Sequence, residues 1–133
     1  MLHVSPEQLT IFGRALTRGR CEAILDFVNL NFGEAIPQVR HEVALDRVRW
    51  GLRRADSLGI RQDRAQSLFV CLLFAAGPGF YHHPACRALL ADTRFNMDNR
   101  VHSLFHAVQD LPWAEIKALG NRTPWDTLQE PTP

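Results

Sequence analysis

The residues best suited to metal chemistry lie between positions 98 and 106. Asp98, His102 and His106 recur at intervals of four, so a helix would place all three on one face. Two histidines at this spacing hold zinc when a third ligand comes from elsewhere in the chain. Candidates for that third ligand stand earlier in the sequence: His82, His83 and Cys86.

This pattern nevertheless falls short of a known zinc motif. Ser103 follows His102 directly, where the HExxH motif has its glutamate. The alternative is a partly exposed histidine face, with Asp98 near the helix N-terminus, where a carboxylate favours the helix dipole. We therefore predict no bound metal or other cofactor, and we expect joint replacement of Asp98, His102 and His106 by alanine to leave the fold intact.

Motifs for nucleophilic and phosphate chemistry are absent from the sequence. It contains no GxSxG, GxxxxGK[ST] or GxGxxG pattern. Cys21, Cys71 and Cys86 are odd in number and lack a CxxC pair, which is typical of free thiols in a reducing compartment. Residues 1–7 have neither the basic nor the apolar region of a signal peptide. We therefore predict a cytoplasmic protein that is not an enzyme.

A stripe of arginines is the most informative surface pattern. Arg40, Arg47 and Arg54 recur every seven residues, which stacks them along one helix face, and Trp50 lies between them. Two further arginines widen the positive surface: Arg49 and Arg53. Tryptophan and arginine are favoured at the energetic centres of protein interfaces.

Our hypothesis is that this stripe binds an acidic partner through Arg40, Arg47, Trp50 and Arg54. Two alternatives remain open. Arginine faces are often merely solvated, and Trp50 could belong to the core, because it stands between the apolar and basic faces of the same helix.

Capping and periodicity signals predict an all-α, compact bundle of about six helices. Ser5, Pro6 and Gln8 form a capping-box pattern that opens a helix, or a pair of helices bent at Gly19, over residues 6–32. A second helix is expected from Pro37 to Gly59. Its apolar face consists of four residues: Ala44, Val48, Leu52 and Ala55.

The next prediction is a central apolar helix near residues 62–76. Residues 68–76 are nine consecutive apolar residues, long enough for a helix that is buried on all sides. A buried strand is the competing assignment, but the polar lead-in at 61–67 favours the helix. The core should include Leu68, Phe69, Leu72, Leu73 and Phe74.

Proline and asparagine signals mark the remaining helices. Pro84 should open a short fourth helix, Asn96 should cap a fifth, and Pro112 should open a sixth that ends at Gly120. We therefore predict one helical domain over residues 1–120 and a loose tail over 121–133, which Trp125 could pin to the body.

Composition narrows the function classes further. The 133 residues carry 15 basic and 14 acidic side chains, giving a net charge of +1. This balance argues against a general nucleic-acid binder, which needs a large basic excess. The most apolar stretch, residues 68–80, is too short and too interrupted by glycine and proline to span a bilayer.

One part of the sequence resembles a known family. The resemblance rests on residues 52–60 (LRRADSLGI), Asp63, residues 68–70, the GPGF of 77–80 and the His-Pro of 83–84. Small helical proteins encoded beside type VI secretion effectors, next to PAAR or VgrG spike genes, often read R-A-x-x-x-G-I, a charged helix start, an apolar helix ending in G-P-x-F, and a short helix after proline. The matching segment covers about 40 residues. Arg61 departs from the pattern, because a Ser or Thr cap is expected there.

The resemblance implies a chaperone or co-adaptor that helps to load an effector, and it supplies no catalytic residues. We therefore predict a non-enzymatic accessory protein that binds an effector or its adaptor. An immunity protein that neutralises a cognate toxin is the first alternative, and a small DNA-binding regulator is the second. A protein partner is expected, whereas nucleic acid and membrane are not.

Overall fold

The computed structural model describes residues 5–8, 19–32, 39–107 and 110–129. The α-helices in these ranges are α1 (Arg20–Phe32), α2 (His41–Ser57), α3 (Asp63–Ala76), α4 (Pro84–Leu90), α5 (Met97–Ala107) and α6 (Trp113–Gly120). Short 3₁₀ helices span Phe80–His82 and Trp125–Gln129. No β-strand occurs in these ranges, so the all-α prediction is confirmed. No helix among the described residues is long and apolar enough to cross a membrane.

The capping box at the start of the chain forms as predicted. The Gln8 amide donates to Ser5 Oγ at 3.1 Å, and the Ser5 amide donates to Gln8 Oε1 at 2.7 Å. Residues 6–8 are helical, and Gly19 lies outside a helix immediately before α1. Gln8 Nε2 also donates to Asn31 Oδ1 at 2.8 Å, so this first turn lies against the end of α1.

Helix α2 begins later than predicted. Its N-cap is Arg40, whose extended backbone precedes His41, so the helix does not start at Pro37, which lies outside the described residues. Its end is a Schellman motif: Gly59 has φ +86°, the Ile60 amide donates to Ala55 O, and the Gly59 amide donates to Asp56 O. The motif turns Ile60 into the core, where it is fully buried.

Helix α3 is buried along nearly its whole length, from Ala65 to Ala76. It packs against α1, α2, α5 and α6, which explains why a continuous apolar run is stable there. All five side chains predicted for the core are buried: Leu68, Phe69, Leu72, Leu73 and Phe74. Helix α2 meets it through Ala44, Val48, Gly51 and Ala55, while Leu52 is only partly buried.

The later helices begin where the sequence signals predict. His83 is the N-cap of α4, and its Nδ1 accepts the Ala85 amide at 3.1 Å. Asn96 Oδ1 accepts the Asn99 amide at 2.8 Å at the start of α5. Pro112 is the N-cap of α6, which ends at Gly120 as expected.

Candidate partner-binding surface

The arginine stripe of α2 lies at the boundary between core and solvent. Arg40 is exposed, whereas Arg47, Trp50 and Arg54 are partly buried. The stripe borders the buried face of α2, because positions 47 and 48 are about 100° apart around a helix. Arg47, Trp50 and Arg54 are therefore brought to one side of α2, whereas Arg40 is the extended N-cap that precedes the helix.

The C-terminal segment covers part of this stripe. Residues 125–129, which we call the strap, form a short 3₁₀ helix that packs against α2. The Trp125 ring lies 4.8 Å from the Phe74 ring of α3, centroid to centroid, and Leu128 is buried. The predicted tail of 121–133 is thus pinned by Trp125 in its described part, and residues 130–133 lie outside that part.

The charged side chain of Arg47 contacts the Trp125 indole of the strap. Its guanidinium carbon lies 5.2 Å from the centroid of the Trp125 ring, within the range of a cation–π interaction. Desolvation by burial lowers the pKa of Arg47 from its ordinary value. Arg47 Nε is buried and has no hydrogen-bond acceptor among the residues the structure describes. The strap therefore gives the flat face of this guanidinium an aromatic ring to contact, but it gives the Nε–H donor no acceptor.

Arg54 binds the strap through the backbone. Its Nη2 donates to the carbonyl oxygen of Thr127 at 2.9 Å, and its Nη1 donates to the Tyr81 hydroxyl at 3.2 Å. Hydrogen bonds from a charged donor are stronger than neutral ones. Two of the three stripe arginines thus already bind a peptide segment, which belongs to the chain itself.

The sequence left open whether Trp50 belongs to the core or to the surface, and its position has features of both. It packs against the core, yet its side chain stays partly exposed. Its replacement would therefore change stability as well as any interface, so Trp50 is not a clean reporter of binding.

Arg49 and Arg53 do not extend the stripe. Position 49 is about 200° from position 47 around the helix, on the solvent side. Arg49 pairs there with Asp46 at 2.9 Å, and Asp56 on the same side lies 3.5 Å from Arg61. The outer face of α2 is therefore of mixed charge, and the arginine stripe is narrower than the sequence suggested.

The candidate metal residues serve other roles. The Asp98 side chain is buried, and its Oδ1 accepts the amides of Arg61 and Gln62 at 2.7 and 2.9 Å. Burial, and secondarily the charge of Arg64, lowers the pKa of His102. No group of three or more His, Cys, Asp or Glu side chains is placed to hold a metal ion within the described ranges.

Asp98 also explains why position 61 holds an arginine where the family pattern has a Ser or Thr cap. The segment before α3 needs no local Ser or Thr cap, because a carboxylate from α5 accepts its amides across the fold. These two hydrogen bonds argue against the expectation that Asp98, His102 and His106 can be replaced together without affecting the fold, since removal of Asp98 would leave two donors without their acceptor.

The buried thiols are structural in character. Burial raises the pKa of Cys71 above its ordinary value and that of Cys86 to about 11, so both stay protonated at neutral pH. His83 Nε2 lies 3.5 Å from a Glu115 carboxylate oxygen, which links the start of α4 to α6.

Two contributors to the surface were missed by the sequence analysis: Phe74 and Tyr81. Phe74 was assigned to the core alone, and Tyr81 was not singled out. A weak signal was present, since Trp125 is an isolated aromatic residue in a polar tail, but its contact point 51 positions upstream has no local signature.

Comparison with known proteins found no matching family model, no matching curated protein and no matching solved structure. The resemblance to accessory proteins of type VI secretion therefore stays a prediction.

Proposed function

We propose that this chain is a cytoplasmic, non-enzymatic accessory protein that binds a protein partner through the arginine stripe of α2. One observation carries the proposal: Arg47 and Arg54 already bind a peptide segment, using a guanidinium on an aromatic face and a charge-assisted bond to a backbone carbonyl. These are the contacts by which arginine contributes to protein interfaces.

The exposed end of the stripe supplies a site for an incoming partner. Arg40 is solvent-exposed at the N-cap of α2 and makes no side-chain capping bond. An arginine at the rim of an interface steers association with an acidic surface. The resemblance in residues 52–84 suggests that the partner is a type VI secretion effector or its adaptor.

Arg40→Glu provides a clean test. Acidic residues are favoured at helix N-termini, so this charge reversal should not weaken the fold. We expect slower association with the partner and a weaker dependence of the association rate on salt. Arg87→Glu is the matched control, because Arg87 is an exposed arginine on α4.

The biological assay would use the native host. Deleting the gene should lower secretion of the cognate effector without lowering its synthesis, and the wild-type gene should restore secretion where Arg40→Glu restores it poorly. Unchanged effector secretion in the deletion strain would refute the loading role.

A further inference from the structure

The contacts of the strap show which chemical groups the site beneath it can bind. The site comprises Phe74 of α3, Arg47 and Arg54 of α2, and Tyr81. It receives one aromatic ring, one backbone carbonyl and, three residues after the ring, the buried Leu128. In a 3₁₀ helix, residues three apart lie on the same side, so Trp125 and Leu128 enter the body together.

The strap leaves one part of this site unsatisfied. Arg47 Nε is buried without an acceptor among the described residues, although a buried donor normally has one. Asp126 of the strap is exposed to solvent. A segment that placed a carboxylate on Arg47 would bind this site with one more charge-assisted hydrogen bond than the strap makes.

We propose that this site binds a segment of the partner protein that carries an aromatic residue, an aliphatic residue three positions later and a neighbouring carboxylate, and that this segment displaces the strap. This inference rests on the proposed function and adds to it the side chains that the bound segment of the partner must carry. The strap then acts as an internal competitor that covers apolar surface while no partner is present.

A tethered competitor lowers the apparent affinity of the partner. The strap is held near its site by the chain, which gives it a high effective concentration. A partner segment binds only the fraction of molecules whose strap is open, so its apparent Kd is the intrinsic Kd divided by that fraction. Weakening the strap must therefore tighten binding of a segment supplied from outside.

The test uses full-length protein and a fluorescently labelled synthetic peptide with the sequence of residues 121–133. In the Trp125→Ala/Leu128→Ala variant the strap lacks both anchors, so the peptide should bind at least ~10-fold more tightly than to the wild type. A peptide with alanine in place of its tryptophan is the ligand control.

Two further substitutions on that background locate the site. Adding Arg54→Gln should weaken peptide binding by ~10-fold, because a charge-assisted hydrogen bond is lost. Adding Arg53→Gln, an exposed arginine on the outer face of α2, should leave it unchanged. Equal affinity for both peptides, or equal loss from both substitutions, would overturn the proposal.

A second measurement covers the case in which the double variant does not fold. Excess peptide is titrated into the wild type while the backbone amide NMR signals of Thr127 and Leu128 are followed. Displacement predicts that these signals move towards those of a free strap with the tryptophan peptide only. Their constancy at peptide concentrations well above the effective concentration of the strap would refute the proposal. Peptide binding with unaffected effector secretion would refute the loading role alone, whereas absent peptide binding with impaired secretion would refute only this site.

Discussion

Asp98 shows how a single buried carboxylate can organise a helix start from a distance. Its Oδ1 accepts two backbone amides just before α3, where the local side chains make no capping bond. We expect Asp98→Ala to lower the free energy of unfolding by about 1–3 kcal/mol, because two donors lose their acceptor. Asp98→Asn should cost less, since its amide oxygen still accepts. Urea denaturation followed by circular dichroism measures both.

The neighbouring histidines provide the matched controls for Asp98. His106 is exposed and His102 is partly buried. Among the residues that the structure describes, neither makes a hydrogen bond comparable to those of Asp98. Single replacements of His102 and His106 by alanine should each stay within about 0.5 kcal/mol of the wild type. If Asp98→Ala were equally harmless, its carboxylate would not organise the start of α3.

At the scale of elements, glycine sets how closely α3 and α6 approach. A Cβ on Gly120 would overlap the carbonyl oxygen of Ala76, and Gly77 combines φ +96° with close contact to Gly120. We expect Gly120→Ala to cost about 1–3 kcal/mol through forced separation of the two helix ends. Thermal unfolding would show the loss as a lower Tm.

Substitutions at two other glycines distinguish the cost of steric overlap from the cost of backbone strain. Gly59 has φ +86° but open space around it, so Gly59→Ala should cost about 1 kcal/mol from its backbone alone. Gly19 has neither constraint, so Gly19→Ala should be close to neutral. A Gly120→Ala variant as stable as Gly19→Ala would show that α3 and α6 separate at no cost.

The sequence predicts these elements better than it predicts their contacts. Ser5, Pro84 and Asn96 are local signals, so the positions where these helices begin could be predicted directly. The start of α2 was misplaced because a proline at 37 suits a helix start but does not require one. The approach at Gly120 and the acceptor role of Asp98 depend on residues distant in sequence, which periodicity does not encode.

The candidate site shows the same limit. The seven-residue spacing places Arg47 and Arg54 on one face of α2, because helix geometry alone determines it, whereas Arg40 is the extended N-cap and precedes the helix. That the strap would cover two of these arginines depends on how residues far along the chain fold back. Trp125 was singled out as an anchor, but its partners Arg47 and Phe74 could not be named from the sequence.

At the scale of the whole molecule, the contacts of the strap close long loops of the chain. Arg54 and Thr127 are 73 positions apart, so these contacts join the second helix to the C-terminal segment. A loop of this length costs more closure entropy than a local turn, and the strap contacts must offset that cost. The burial of Leu128 and the tilted contact between the Trp125 and Phe74 rings contribute apolar surface that helps to offset this cost.

The contact between Arg47 and Trp125 can be isolated by a double-mutant cycle of Arg47→Gln and Trp125→Leu. The guanidinium lies over the ring and is partly desolvated, so we expect a coupling energy of about 0.5–1 kcal/mol in the free energy of unfolding. The control cycle pairs Trp125→Leu with Arg53→Gln on the outer face of α2, and these two changes should be additive within about 0.3–0.5 kcal/mol. Similar coupling in the two cycles would mean that Arg47 acts through general charge and not through the ring. Coupling confined to Arg47 would establish that the stripe binds an aromatic residue, which is the recognition that the proposed partner segment requires.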